Sequence, residues 1–182
     1  MSDRLGHDEY FMTIALAVSE RAICLGRHVG AVLVRDGRII ATGYNGTPEN
    51  MPNCDEREKG CLRCANSDEF PSGTGYDLCI CVHAEQNALI SSARFGTSVE
   101  GAVLYTTLKP CFGCAKESLQ AKIKAVYYLK DWSHPDEKVQ HEYARILGRF
   151  PKGVRQLDLA ETTLHAEEDG EPLVDTGHAE GG

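Results

Sequence analysis

Apolar residues recur along this chain at two different spacings, and the changes of spacing mark its elements. Across residues 8–24, Phe11, Ile14, Ala15, Val18 and Ala22 repeat at helical intervals and predict an amphipathic helix. "VGAVLV" and "RIIATGY" are β-type runs joined by Asp36-Gly37, which reads as the tight turn of a hairpin. Both periods then disappear. Residues 45–78 are rich in Gly, Pro, Asn and charge, and are read as a long loop or insertion. A loop of that length with no core of its own needs a functional or structural tether.

Periodicity returns at Ala84 and predicts a helix to Phe95, stopped at Gly96. "AVLYTT" (102–107) reads as a buried strand, and Pro110 opens a helix across 111–121. "AVYYL" (125–129) is a second buried strand, 135–147 a further helix with Pro135 near its start, and "VRQLDL" (154–159) a last, edge strand. Helix, hairpin and then alternating helix and strand predict one mixed sheet covered by helices, an α/β layered domain. The expected domain is 1–160, with a cysteine-rich insertion at 45–82. The tail 161–182 is acidic, Gly-rich and aperiodic, so disorder is expected there, with His165 and His178 simply solvated.

Charge changes this picture little. The net −8 of the chain comes mostly from the tail: seven of the 27 acids follow Ala160, which leaves 20 acids against 19 bases in the domain. No basic field is available there for a nucleic-acid backbone. No apolar run is long enough to span a bilayer. The polar opening "MSDRLGHDEY" is read as carrying no secretory signal, and the expected compartment is the cytoplasm.

The cysteines change it more. There are eight: Cys24, Cys54, Cys61, Cys64, Cys79, Cys81, Cys111 and Cys114. In a reducing compartment, clustered cysteines point to metal or redox chemistry rather than to disulfides. In "TLKPCFGC", Cys111 and Cys114 stand three apart and share a helix face. A helix N-terminus favours thiolate, so the pair suits a soft metal or, equally, thiol redox work.

His83 and Glu85, in "LCICVHAEQNAL", shift that balance. Two residues inside a helix at that spacing point about 200° apart. They can serve one centre only if His83 sits at the helix edge, where the backbone is not yet helical. His83, Cys111 and Cys114 then make three zinc ligands and leave the fourth position open, the catalytic form of a zinc site. Glu85, close by and not a ligand, becomes the proton carrier. The plainer reading, a capping histidine and a glutamate complementing the helix dipole, serves for either residue alone. Together with Pro-Cys-x-x-Cys after a strand, the two fit the zinc-deaminase pattern H-x-E…P-C-x-x-C.

With "SERAICLGRHVGAVLVRDGRIIATGYNGTP", "HAEQNAL", "GAVLYTTLKPCFGCAK" and "IKAVYYL", most of residues 10–130 resembles the deoxycytidylate (dCMP) deaminase family of the cytidine-deaminase-like superfamily. The resemblance implies a three-layer α/β/α fold with a central mixed sheet of about five strands. It implies a hydrolase acting on a cyclic amidine: zinc-dependent deamination of a cytosine nucleotide, dCMP to dUMP with release of ammonia. Ala84 would hold the base carbonyl through its backbone N–H, and Asn45 the sugar, although a turn role for Asn45 between its glycines stays open. Arg21 is the first choice for the phosphate, with Arg27, Lys109 and Lys130 as competitors. A homo-oligomer, dimer or hexamer, is implied, and regulated members add a nucleotide effector at the "GYNG" loop.

The resemblance also implies a second, structural zinc, on Cys24, Cys54, Cys61 and Cys79. Cys64 and Cys81 depart from that pattern, and the set Cys61, Cys64, Cys79 and Cys81 is the alternative, with a redox switch as the competing role. Rival functions are deamination of dCTP, a nucleoside, a free base, tRNA adenosine or a pterin-like ring; a non-catalytic zinc module; and a thiol oxidoreductase.

Overall fold

The protein is described here by a computed structural model covering residues 4–56 and 60–159; the tail expected at 161–182 lies outside the described residues. Its elements run α1 (His7–Ser19), β1 (Gly30–Arg35), β2 (Arg38–Tyr44), α2 (Leu62–Ala65), α3 (Ala84–Arg94), β3 (Val103–Leu108), α4 (Phe112–Gln120), β4 (Ala125–Lys130), α5 (Glu137–Leu147) and β5 (Val154–Gln156). Five strands form one sheet in the order β2-β1-β3-β4-β5. β1 is antiparallel to β2 and β3, while β3, β4 and β5 run parallel. The sheet is mixed, with helices on both faces, as the spacing of apolar residues predicts. None of the helices is long and apolar enough to cross a membrane among the described residues.

Strand alternation sorts the core into two layers. Ala31, Leu33, Leu104 and Val126 face one way and pack with Ala84 and Ala88 of α3, Leu119 of α4 and Leu147 of α5. Val32, Val34 and Tyr105 face the other way and meet Phe11, Met12 and Ala15 of α1. The β1–β2 connection is a tight turn with Asp36 and Gly37 both at positive φ (52° and 73°), the geometry that matches strand twist.

Two boundaries differ from expectation in ways that matter for the site. α1 stops at Ser19 instead of reaching Cys24, because Ile23 donates its N–H to the Asn45 carbonyl and Cys24 turns into a cluster of sulfurs. The loop contains one helical turn, α2, whose first cap is Cys61. The helix at 84 begins where predicted and ends at Arg94, capped by Phe95 and followed by Gly96 at φ 66°.

α3 lies against the edge of the sheet at one fixed point. A Cβ on Gly43 would stand 2.2 Å from the Ala84 carbonyl and 2.5 Å from the Ala88 nitrogen. Only a residue without a side chain lets β2 approach the first turn of α3. Gly43→Ala (G43A) is therefore expected to cost about 1–3 kcal/mol through overpacking, read in thermal unfolding as a Tm several degrees below that of the parent. An unchanged Tm would show that the helix start is free to shift.

Candidate active site

α3 and α4 begin beside each other, at the carboxyl end of β3, where open α/β sheets place their sites. His83 and Cys111 are the residues just before each helix, and both have extended backbone (φ −73°, ψ 157° and φ −68°, ψ 171°). Neither side chain is committed to a helix face, so both turn into the gap between the helix ends. Cys114 follows within the first turn of α4, and its N–H donates to Cys111 Sγ at 3.5 Å. The result is one compact trio: His83 Nδ1 lies 3.4 Å from Cys111 Sγ and 3.4 Å from Cys114 Sγ. Zinc–nitrogen and zinc–sulfur bonds of about 2.05 and 2.3 Å put tetrahedral N···S edges near 3.6 Å. The trio has the donor chemistry and the spacing for a zinc ion.

Surrounding contacts hold the trio in place. Gln86 accepts from the His83 N–H at 3.0 Å and donates to Glu117 of α4 at 3.1 Å, tying the two helix starts together. Trp132 donates its indole N–H to the Lys109 carbonyl at 2.6 Å, and Tyr143 its hydroxyl to the Pro110 carbonyl, so the two residues before Cys111 are fixed from behind. Tyr76 packs edge-on to the His83 ring, with centroids 5.0 Å apart.

The electrostatics suit a cation with a proton carrier at its side. Burial opposes charge on the His83 ring, but hydrogen bonds to the sulfurs of Cys111 and Cys79 outweigh it and push the ring up to about 11. A hydrogen bond from Cys114 brings Cys111 down to about 4 against the effect of burial, while Cys114 is raised above the usual thiol range. Glu85 is 4% exposed, and loss of hydration raises its carboxyl to about 7, with the charged His83 ring pulling the other way. A carboxyl held near neutrality can both take and give a proton.

His83 and Cys111 of the trio open into a cavity of about 290 Å³. Its lining answers each expected substrate residue differently. Asn45, Ala84 and Glu85 line it; Arg21 is exposed and does not. The early end of α1 turns Arg21 outward. The bases on the cavity are Arg27, Arg63 and Lys109. Lys109 is paired with Asp131 at 2.9 Å, and Arg63 donates to the Thr74 carbonyl at 2.8 Å and lies over the Tyr76 ring. Arg27 makes no side-chain hydrogen bond or ion pair among the described residues, but its backbone is fixed. Asn45 does that: its Nδ2 donates to the Arg27 carbonyl at 2.7 Å, and its Oδ1 accepts from the Val29 N–H at 2.8 Å.

Arg63, Phe70, Tyr76 and Trp132 also line the cavity and were not foreseen. The first three belong to the loop, where no period marks them out; only their basic and aromatic character could have raised them.

The other six cysteines collect on the far side of His83. The expected quartet of Cys24, Cys54, Cys61 and Cys79 does not gather as one set. Cys24 and Cys54 stand with Cys64 and Cys81, whereas Cys61 and Cys79 stand with the same Cys64 and Cys81. The alternative quartet of Cys61, Cys64, Cys79 and Cys81 is therefore one of two that the fold assembles.

Comparison with known proteins places this geometry in a family. The family described as "Cytidine and deoxycytidylate deaminase zinc-binding region" matches residues 5–130. The deoxycytidylate deaminase of Schizosaccharomyces pombe is 44% identical over 121 residues, covering 66% of this chain and 36% of its own length. That of Saccharomyces cerevisiae is 36% identical over 154 residues, covering 85% of this chain and 46% of its own. This chain thus spans less than half of either yeast protein. The dCMP deaminase of cyanophage S-TIM5, solved in complex with dCMP and dUMP, superposes with a TM-score of 0.62 at 29% identity, covering 82% of this chain and 95% of that one. The chain belongs to the cytidine and deoxycytidylate deaminase family, and its fold is the three-layer arrangement the resemblance implied.

Replacing Cys114 by serine (C114S) is expected to lower zinc content by one ion per chain with the far-ultraviolet circular dichroism unchanged. Metal analysis of the purified variant checks this, and undiminished zinc would place that ion elsewhere.

Proposed function

We propose that the protein is a zinc-dependent deaminase of a cytosine mononucleotide, converting dCMP to dUMP with release of ammonia. The observation that carries this reading is the trio His83, Cys111 and Cys114, with buried Glu85 in the first turn of α3; His83, Cys111 and Glu85 line one cavity. Bound there, a zinc ion supplies a Lewis acid that brings the pKa of a water molecule to near neutrality. The remaining work belongs to side chains. Glu85 takes the proton the water gives up and passes it to N3 of the ring. It then helps deliver a proton to the leaving amine. C4 gains the oxygen of water and loses its nitrogen as ammonia. The first N–H groups of α3, Ala84 foremost, have no partner within the helix and suit the base carbonyl.

The cavity size falls at the small end of small-molecule sites, which favours a single nucleotide. Phe70, Tyr76 and Trp132 offer flat apolar walls for a ring. Asn45 keeps one amide hydrogen and one lone pair for the sugar after bracing residues 27–29. The phosphate is assigned to Arg27 rather than Arg21, because Arg27 lines the cavity and its guanidinium has no partner among the described residues. Two kinds of zinc site are inferred: the open one at His83 and a closed one among the loop cysteines, which replaces the core the loop lacks. Ile90 and Phe95 leave apolar surface on α3 and support assembly with further copies of the chain. The eight free cysteines support a reducing compartment, the cytoplasm, as the place of work.

Ammonia release from dCMP, dCTP, deoxycytidine and CMP tests the substrate, with dCMP expected to be preferred. Activity on guanine or a pterin with none on dCMP overturns the reading. Glu85→Gln is expected to keep its zinc while kcat falls by about 10²–10⁴-fold; retained turnover removes Glu85 from proton transfer. Arg27→Ala is expected to raise KM for dCMP about tenfold or more, with KM for deoxycytidine unchanged, since one charge-assisted contact is worth roughly 1.5–3 kcal/mol. Equal effects on both substrates would move the phosphate to another base.

A further inference from the structure

Six cysteines stand together in the loop region, and one tetrahedral ion can use only four of them. Cys54 and Cys61 are fully buried, and Cys24, Cys64 and Cys81 are at most 6% exposed. Whichever four held a single ion, two thiols would remain packed against it. The geometry divides them differently. Cys24, Cys54, Cys64 and Cys81 lie within 4.8 Å of one another, and so do Cys61, Cys64, Cys79 and Cys81. The two quartets share one edge, Cys64–Cys81, at 4.0 Å.

We propose that the six cysteines form a binuclear zinc–thiolate centre, in which Cys64 and Cys81 bridge two ions, Cys24 and Cys54 complete one tetrahedron, and Cys61 and Cys79 complete the other. Tetrahedral zinc with bonds of about 2.3 Å sets sulfur–sulfur edges near 3.8 Å. The second quartet matches this, with Cys61–Cys79 at 3.7 Å and Cys64–Cys79 at 3.8 Å. In the first, Cys24–Cys64 is tighter, at 3.3 Å, yet well beyond a covalent S–S bond. Backbone N–H groups are aimed at the terminal sulfurs of that quartet: Leu25 donates to Cys54 and Gly26 to Cys24, each at 3.4 Å. Such donors stabilise metal-bound thiolate. The charge also closes. Six thiolates and two divalent ions sum to −6 + 4 = −2, the same residual charge as one ion with four thiolates.

The spacing of the chain fits these roles. Cys61 caps a single helical turn and Cys64 lies within it three residues on, which puts both sulfurs on one side. Cys79 and Cys81 stand two apart, and both sulfurs reach Cys64, at 3.8 and 4.0 Å.

The test is the metal content of the full chain, purified without chelator, by native mass spectrometry and elemental analysis. Three zinc ions per chain are expected, and two in the C111S/C114S double variant. Exchange with ¹¹³Cd adds a second readout that needs no substitution: two cadmium resonances from the cluster, scalar-coupled to each other through shared sulfur. Two zinc ions in the parent protein, iron in place of zinc, a disulfide within the cluster, or two cadmium signals without mutual coupling would each overturn the proposal. The result is independent of deaminase turnover, so failure here and failure of the substrate reading are separable.

Discussion

One imidazole nitrogen stands 3.4 Å from each of two sulfurs, and three elements are placed by that meeting. His83 and Cys111 serve as the extended residues ahead of α3 and α4. Cys114 can join them only if α4 starts beside α3, which is what the carboxyl end of β3 provides. Gly43 lets the edge strand close on the first turn of α3. Gln86, Trp132 and Tyr143 then take up the hydrogen-bonding groups around the two helix starts. The sheet is thus a platform that brings two helix N-termini to within a bond length or two of one point.

The long loop is the second half of the same design. It buries few apolar side chains, and sulfur takes their place at its centre. What the sulfurs hold in position is useful: Arg63, Phe70 and Tyr76 all come from this loop and form a wall of the cavity. Gly73 fits against Trp132 and His134, which closes the loop over the segment behind Cys111. Without an organised loop, the trio would face open solvent on that side.

Much of this was legible in the sequence, and for identifiable reasons. The hairpin announced itself through Asp36-Gly37 because only a few dipeptides tolerate positive φ twice in succession. α3 was legible from its period and from Gly96. The placement of His83 at a helix edge follows from the angle between neighbouring helical residues. The phosphate choice was not legible. Arg21 and Arg27 differ only in how the chain leaves α1, and that departure is decided by Asn45 and Cys24, distant partners that no local pattern records. The grouping of the cysteines was hidden for a similar reason. Spacing along the chain marks Cys61 and Cys64 as neighbours, but only the fold shows that Cys64 and Cys81 stand between two pairs.

Cys81 is followed by Val82 and then by His83, and Val82 is pinned to Gly46 by two backbone hydrogen bonds of 2.8 and 3.2 Å. A single residue therefore separates a loop sulfur from the imidazole of His83. That tether has almost no slack. On the proposed reading, ordering of the loop and readiness of the His83 centre become one event, so scarcity of metal would silence the molecule outright instead of leaving a crippled but leaky catalyst.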